Sequence, residues 1–163
     1  MSRIFLTILL ALSVCHIAAQ KTVQGDLNFL KGHNKLHVTT DFSETQMLGY
    51  TDVQFHDWIK AFAKDSLYYM KCFYNGLVDE MEDRFLLVGN QPDAEYQLCI
   101  HVNQIDSKGT VYSTCVFSRM QDSEPLCTIQ VVGKGGRMGT LINLFGDGME
   151  STGEKLGKLL KKY

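Results

Sequence analysis

Successive segments that alternate apolar and polar residues place the strongest constraint on the fold of this chain. The segment EYQLCIHVNQI at 95–105 puts its Tyr, Leu, Ile and Val side chains on one side and its polar side chains on the other. Similar segments at 110–118 and 126–133 follow the turn signals DSKG and QDSEP. A period of two predicts strands with one buried face. Together with the short apolar run RFLLVG at 84–89, these segments predict a four-stranded antiparallel meander.

Two amphipathic helices and one further strand complete the predicted order of elements. KLHVTTDF at 35–42 alternates as a strand does, and residues 51–83 carry apolar side chains near helical spacing, with a possible break at Asp65. The closing segment 139–163 has the same helical pattern, with lysines near its end. The predicted class is α+β, with order β-α-β-β-β-β-α. We expect a mostly antiparallel sheet with the helices packed on one face, because each element has a single apolar face to bury.

The amino terminus has the pattern of a secretory signal peptide. Residues 1–19 contain one cation, an apolar run over 4–14 and small residues before the expected cleavage after Ala19. The run is shorter than the ~20 residues needed to span a bilayer. A lipoprotein signal with Cys15 as the lipidated residue is the alternative, although Val14 precedes that cysteine where a lipobox usually has a small residue. We therefore expect an exported protein, periplasmic or extracellular, with no transmembrane span.

After the expected cleavage the chain would form one domain. Removal of the first 19 residues would leave 144 of the 163 residues, enough for one hydrophobic core. We predict a flexible segment at 20–34 and a single α+β domain at 35–163. The remaining chain would have 15 Lys and Arg against 18 Asp and Glu, without a basic block apart from its last lysines. This balance argues against a nucleic-acid partner.

The four remaining cysteines do not predict a metal site. Cys72, Cys99, Cys115 and Cys127 form no closely spaced pair of the kind that zinc sites use. Export permits disulfides, and four cysteines allow three complete pairings, which stay open at this stage. No cofactor is predicted.

The glycine-rich segment GKGGRMG at 133–139 lies between a predicted strand and a predicted helix, where a phosphate-binding turn would lie. A dinucleotide fingerprint needs a second strand after the helix, and a Walker motif needs Gly-Lys-Ser/Thr at its end, so neither motif is complete. The sequence favours a sharp structural turn. A weaker alternative is an anion- or partner-binding site formed by Lys134, Gly135, Gly136, Arg137 and Gly139.

Glycines within the closing helix need a compensating role, because each costs up to about 1 kcal/mol relative to alanine. Gly146, Gly153 and Gly157 are spaced by seven and four residues and therefore share one side of the helix. We predict that this side packs closely on the sheet. A groove for a partner, or a helix break near the GDG sequence at 146–148, are the alternatives.

Three motifs carry a resemblance to known proteins: VTTDFSE, AEYQLCIHVNQID and GKGGRMGTLINLFGDGMESTGEKLGKLLKK. Together they resemble a family of small, uncharacterised exported proteins common in Bacteroidetes-type bacteria. The strand, glycine-containing hairpin and closing helix are also similar, more distantly, to envelope domains such as the TolB amino-terminal region and the curli secretion lipoprotein. These resemblances imply a periplasmic or envelope module and supply no catalytic residues.

Two functional hypotheses follow. The favoured one is a non-catalytic module that binds another envelope protein or a small ligand through a sheet edge, the glycine-rich turn or a helical surface. The alternative is a small secreted hydrolase with a site around Asp41, His101 or a cysteine, although no GxSxG or HExxH motif occurs. An enzyme should gather perturbed titratable groups in one pocket, so the placement of these residues distinguishes the two.

Overall fold

A computed structural model describes residues 20–49, 52–81 and 91–163. In chain order its elements are β1 (Gln20–Gly25), a 3₁₀ turn (Asn28–Leu30), β2 (Leu36–Asp41), β3 (Gln46–Met47), α1 (Asp52–Met81), β4 (Tyr96–Ile105), β5 (Val111–Arg119), β6 (Pro125–Gly133) and α2 (Leu141–Leu160). The signal peptide predicted for 1–19 and the strand predicted for 84–89 lie outside the described residues.

One mixed sheet forms the centre of the fold. Its strand order is β1-β6-β5-β4-β2, and β3 also pairs with β4. The β4-β5, β5-β6 and β1-β6 pairs are antiparallel, whereas β2 and β3 run parallel to β4. The predicted α+β class with a mostly antiparallel sheet is therefore confirmed.

The alternation seen in the sequence sorts the side chains of the meander between two faces. Alternate residues of β4, β5 and β6 are buried and join the helices in one hydrophobic core. The helix residues that complete this core include Phe73, Leu77, Phe145, Met149 and Leu156, each fully buried. The opposite face, which we call the open face, carries half-buried or exposed polar side chains such as Gln97, His101 and Thr114.

Three glycines of α2 pack against α1, and the prediction that their shared side faces the sheet is wrong. A Cβ atom built on Gly153 would lie 2.1 Å from the Phe73 carbonyl oxygen, and one on Gly157 would lie 2.7 Å from the Leu77 carbonyl oxygen. A Cβ on Gly146 would meet the ring of Tyr68 at 2.9 Å. The missing side chains let the two helices approach backbone to backbone.

A different glycine of α2 makes the close contact with the sheet. A Cβ on Gly148 would lie 2.1 Å from the carbonyl oxygen of Gly109, just before β5. A Cβ on Gly133, the last residue of β6, would lie 2.0 Å from the Thr152 hydroxyl. The helix continues without interruption through the GDG sequence. Glycines on two sides of α2 therefore allow close contact with α1 on one side and with the sheet on the other.

The segment 20–34, for which flexibility was predicted, contains an edge strand and two buried leucines. Residues 20–25 form the edge strand β1, whose backbone pairs with β6. Leu27 and Leu30, which follow it, are buried at 2% and 0% exposure. Strand pairing and these two apolar anchors fix the segment on the domain, although its sequence has no clear alternation.

Candidate functional site

A surface pocket lies where the β4-β5 turn meets the connection from β6 to α2, and we call it the basic pocket. It is lined by Ser107, Lys108, Thr110, Lys134, Gly135, Gly136, Arg137 and Leu144. Four of the five residues of the predicted binding turn thus line one pocket. Gly139 is not among the lining residues. It has φ +132° and precedes Thr140, the N-cap of α2.

Hydrogen bonds to one carboxylate fix the first loop of the pocket. Asp106 Oδ1 accepts from the backbone N–H groups of Lys108 and Thr110, each at 2.8 Å. Gly109 has φ +75°, and its N–H donates to the Asp106 carbonyl oxygen at 2.9 Å. The sequence DSKG folds this way because an aspartate side chain bonds readily to the following backbone amides, and glycine adopts a positive φ without strain.

Two glycines allow the second loop to lie close to the first loop and to α2. A Cβ on Gly135 would lie 1.9 Å from the Lys108 carbonyl oxygen, so only glycine fits between the loops. A Cβ on Gly136 would lie 2.1 Å from Asp147 Oδ2, and the Gly136 N–H donates to the Leu144 carbonyl oxygen at 3.4 Å. This amide already has a protein acceptor. A phosphate cradle of bare amides, the motif first suggested by the glycines, is therefore not what Gly136 provides.

Positive charge dominates the rim of the basic pocket. Lys108, Lys134 and Arg137 are exposed, and none forms an ion pair with another residue that the structure describes. Burial lowers the pKa of Lys155 on α2. The neighbouring Glu154 raises this pKa, and repulsion from Lys134 lowers it. Two carboxylates lie next to lining residues: Asp147 is beside Gly136, and Asp106 accepts from the Lys108 and Thr110 amides. Three cations against two carboxylates leave an excess of positive charge.

A second cluster lies on the open face, where the parallel register of β2 and β4 places Asp41 opposite His101. Asp41 Oδ2 and His101 Nδ1 are 3.1 Å apart, and Asp41 Oδ1 accepts from the Ser43 N–H at 2.9 Å. The amide and hydroxyl of Ser43, followed by His101, hold the pKa of Asp41 below its usual value. The structure thus brings together two residues that the sequence had named for the hydrolase alternative.

The surroundings of this pair supply no activated nucleophile within the described chain. Its shallow pocket is lined by Glu44, Asn103 and Thr114, and the Thr114 hydroxyl accepts from Asn103 Nδ2 at 2.8 Å. Ser43 contacts Asp41 through its backbone N–H and its hydroxyl, and it has no bond to His101 among the hydrogen bonds of the described residues. A nucleophile of the serine or threonine type needs a hydrogen bond to its base, which neither hydroxyl makes here.

The four cysteines outside the predicted signal peptide are free thiols. Burial raises the pKa of Cys72, Cys99 and Cys127, and it raises the pKa of Cys115 to about 12. A thiol nucleophile needs a lowered pKa and an electropositive setting. These cysteines therefore have the properties of structural residues. Over residues 20–49, 52–81 and 91–163, no three His, Cys, Asp or Glu side chains are grouped so that they could hold a metal ion.

Sequence reasoning missed Lys108 as a member of the pocket. DSKG was recognised as a turn, but the turn lies 26 positions before Lys134 in sequence. The available signal was the pair of adjacent glycines at 135 and 136, which indicates that another backbone segment approaches closely. Nothing in the sequence identifies that segment.

Comparison with known proteins yields no family model and no curated protein that matches this chain. Among solved structures, a PelC dodecamer from Paraburkholderia phytofirmans has a TM-score of 0.48 at 13% identity, covering 86% of this chain and 97% of that chain. A single-substitution variant of the same PelC dodecamer has a TM-score of 0.46 at 14% identity, covering 87% and 95%. Neither similarity assigns this chain to a family. Neither helix of the described residues is long and apolar enough to cross a membrane.

Proposed function

We propose that this chain is an exported, non-catalytic binding module of the cell envelope, and that the basic pocket is its binding surface. The observation that carries the proposal is the convergence of Lys108, Lys134 and Arg137 from two loops around one pocket. Exposed cations in a concave surface whose shape is fixed by backbone contacts form a preorganised recognition site. Export rests on the signal-like pattern of residues 1–19 and on the resemblance to small exported proteins.

A binding role explains why two rigidly held loops carry exposed positive charges. The close contact of Gly135 and the hydrogen bonds to Asp106 fix two loops in place. The exposed lysine and arginine side chains on these loops add little to the stability of the fold. A turn that served only to reverse the chain would not need three unpaired cations at its rim. Charge placed on a rigid support favours recognition of a partner.

The second candidate is the hydrolase, and the contact between Asp41 and His101 favours it. An aspartate that accepts from His Nδ1 can orient the imidazole as a general base. The pair lies on the open face with its side chains about two-fifths exposed, at 40% and 42%. Water is not excluded from such a position, and an activated nucleophile is missing from the described neighbours. The observations therefore support this candidate less well than the binding module.

Site-specific photo-crosslinking in the native host tests the binding proposal. Met138, 88% exposed beside the pocket, is replaced by a photoreactive amino acid. The matched control places the same amino acid at Leu67, 78% exposed on α1. We expect a reproducible adduct from position 138 only, lost on Lys134→Gln. Equal labelling from both positions, or no adduct from either, would refute the proposed surface. Amino-terminal sequencing of the fractionated protein tests export and cleavage after Ala19.

A further inference from the structure

We infer that the basic pocket recognises a doubly charged phosphate group, as carried by a phosphate monoester. This inference rests on the proposed function, because it names the ligand chemistry of the same pocket. It goes beyond that proposal, which requires only that something binds there.

Three cations in the lining of one pocket favour a ligand with more than one negative charge. Lys108, Lys134 and Arg137 contribute three positive charges at the rim. Asp147 and Asp106 each contribute one nearby negative charge, because the two backbone amides that donate to the Asp106 carboxylate are neutral. The net charge is therefore about +1, but three cations can contact one ligand at once. A phosphate monoester, with about −1.5 to −2 charges, gains more from these three contacts than an anion with a single charge does.

The types of donor around the pocket also suit a tetrahedral oxyanion. Arg137 offers a planar fork for two oxygens, and the lysines offer point charges, Lys134 from the same loop and Lys108 from the other loop. Ser107 and Thr110 add hydroxyl groups to the lining, and a hydroxyl can donate to a third oxygen. The pocket is open at the surface, so the phosphate can belong to a larger molecule.

The basic character is local to this pocket. The chain as a whole has 16 Lys and Arg against 18 Asp and Glu. Lys158 and Lys161, at the end of α2, instead form ion pairs with Glu80. A local excess of unpaired cations on a slightly acidic chain favours a specific anion over general attraction to polyanions.

Titration of the ¹⁵N-labelled mature protein with glycerol 2-phosphate, followed by amide NMR shifts at low ionic strength, tests this inference. Dimethyl phosphate, which keeps one negative charge, and acetate are the comparison ligands. We expect saturable shifts at the two pocket loops, and a dissociation constant at least about fivefold lower for the monoester, since each added charge-assisted bond strengthens binding. Lys134→Gln and Arg137→Gln should each weaken binding by about threefold or more. Lys31→Gln, an exposed lysine outside the pocket lining, should leave it unchanged.

The pH dependence provides a second readout. No histidine lines the pocket among the described residues, so the ligand is the group that titrates. The second pKa of a phosphate monoester is about 6, and affinity should therefore rise between pH 5 and pH 8 for the monoester and stay constant for the diester. Equal affinity for both esters, shifts spread over all lysines, or a preference for acetate would overturn the inference. Those outcomes leave the crosslinking test of the binding module unaffected, so failure of the two proposals can be distinguished.

Discussion

Gly153→Ala adds one methyl group where α1 and α2 approach each other backbone to backbone. The added Cβ would lie 2.1 Å from the Phe73 carbonyl oxygen and 2.7 Å from the Leu77 backbone nitrogen, whereas ordinary contact begins near 3.4 Å. The helices must therefore separate locally by about 1.3 Å. Both obstacles are backbone atoms and cannot rotate away. Phe73 and Leu77 are fully buried, so the separation also loosens the core around them.

The expected loss of stability follows from two opposing effects. Overpacking of a core costs ~1–3 kcal/mol, and backbone obstacles place this site at the upper end. Alanine recovers ~1 kcal/mol through its higher helix propensity. The free energy of unfolding should therefore fall by ~2 kcal/mol, which corresponds to a melting temperature lower by ~4–8 °C for a chain of this length. Thermal unfolding followed by circular dichroism measures the change.

Gly146→Ala is the matched control for this substitution. It lies on the same side of the same helix, but its obstacle is the ring of Tyr68 at 2.9 Å, and Tyr68 is 42% exposed. This ring can rotate, so we expect unchanged stability or a gain of up to ~1 kcal/mol from helix propensity. If Gly153→Ala melts at or above the wild-type temperature, the close helix contact does not limit stability and the reasoning is refuted.

Three further predictions concern the cap of α2, a buried thiol and the open face. Thr140 Oγ1 accepts from the Asn143 N–H at 3.4 Å, so Thr140→Ala should lower the free energy of unfolding in urea by ~0.5–1 kcal/mol; an unchanged midpoint would contradict the capping role. With a pKa of about 12 and complete burial, Cys115 should resist alkylation by iodoacetamide at pH 8 until the protein unfolds, as mass spectrometry of native and denatured samples would show. The pKa of Asp41 is lowered in the folded state, so the ionised carboxylate stabilises the fold. This stabilisation is fully present above the unfolded pKa near 3.8 and is lost as the pH falls through the lower folded pKa. Because this side chain is partly exposed, Asp41→Asn should reduce the free energy of unfolding at pH 7 by only ~0.5 kcal/mol, and it should make no difference near pH 2. If the variant is still less stable than the wild type in acid, the charge of Asp41 is not the cause.

The local pattern of the sequence was sufficient for β4, β5 and β6 of the predicted meander and for both helices. Alternation over 95–105 corresponds to β4, and the apolar spacing over 51–83 corresponds to the single helix α1, without the break considered at Asp65. These features depend on neighbouring residues, because a period of 2 or 3.6 decides which side chains share a face. The edge strand β1 lacks such a pattern and is held by backbone pairing with β6, so it was missed.

Only part of the candidate site could be predicted from the sequence. The run Lys134 to Arg137 could be named because its glycines and cations are adjacent in the chain. The glycines of α2 could be placed on one side of the helix, yet that side was wrongly assigned to the sheet. A helical period shows which residues share a side and says nothing about which neighbour that side contacts.

The sequence by itself determined the α+β class, the alternation that separates a buried face from an open face, and the glycine-rich turn before α2. Only the tertiary structure decided that Lys108 joins Lys134 and Arg137, and that the parallel pairing of β2 with β4 brings Asp41 to His101. The physical reason is that periodicity and turn chemistry act over a few residues. Strand order and loop approach depend on which distant segments bury each other's apolar faces and fit around each other's backbones.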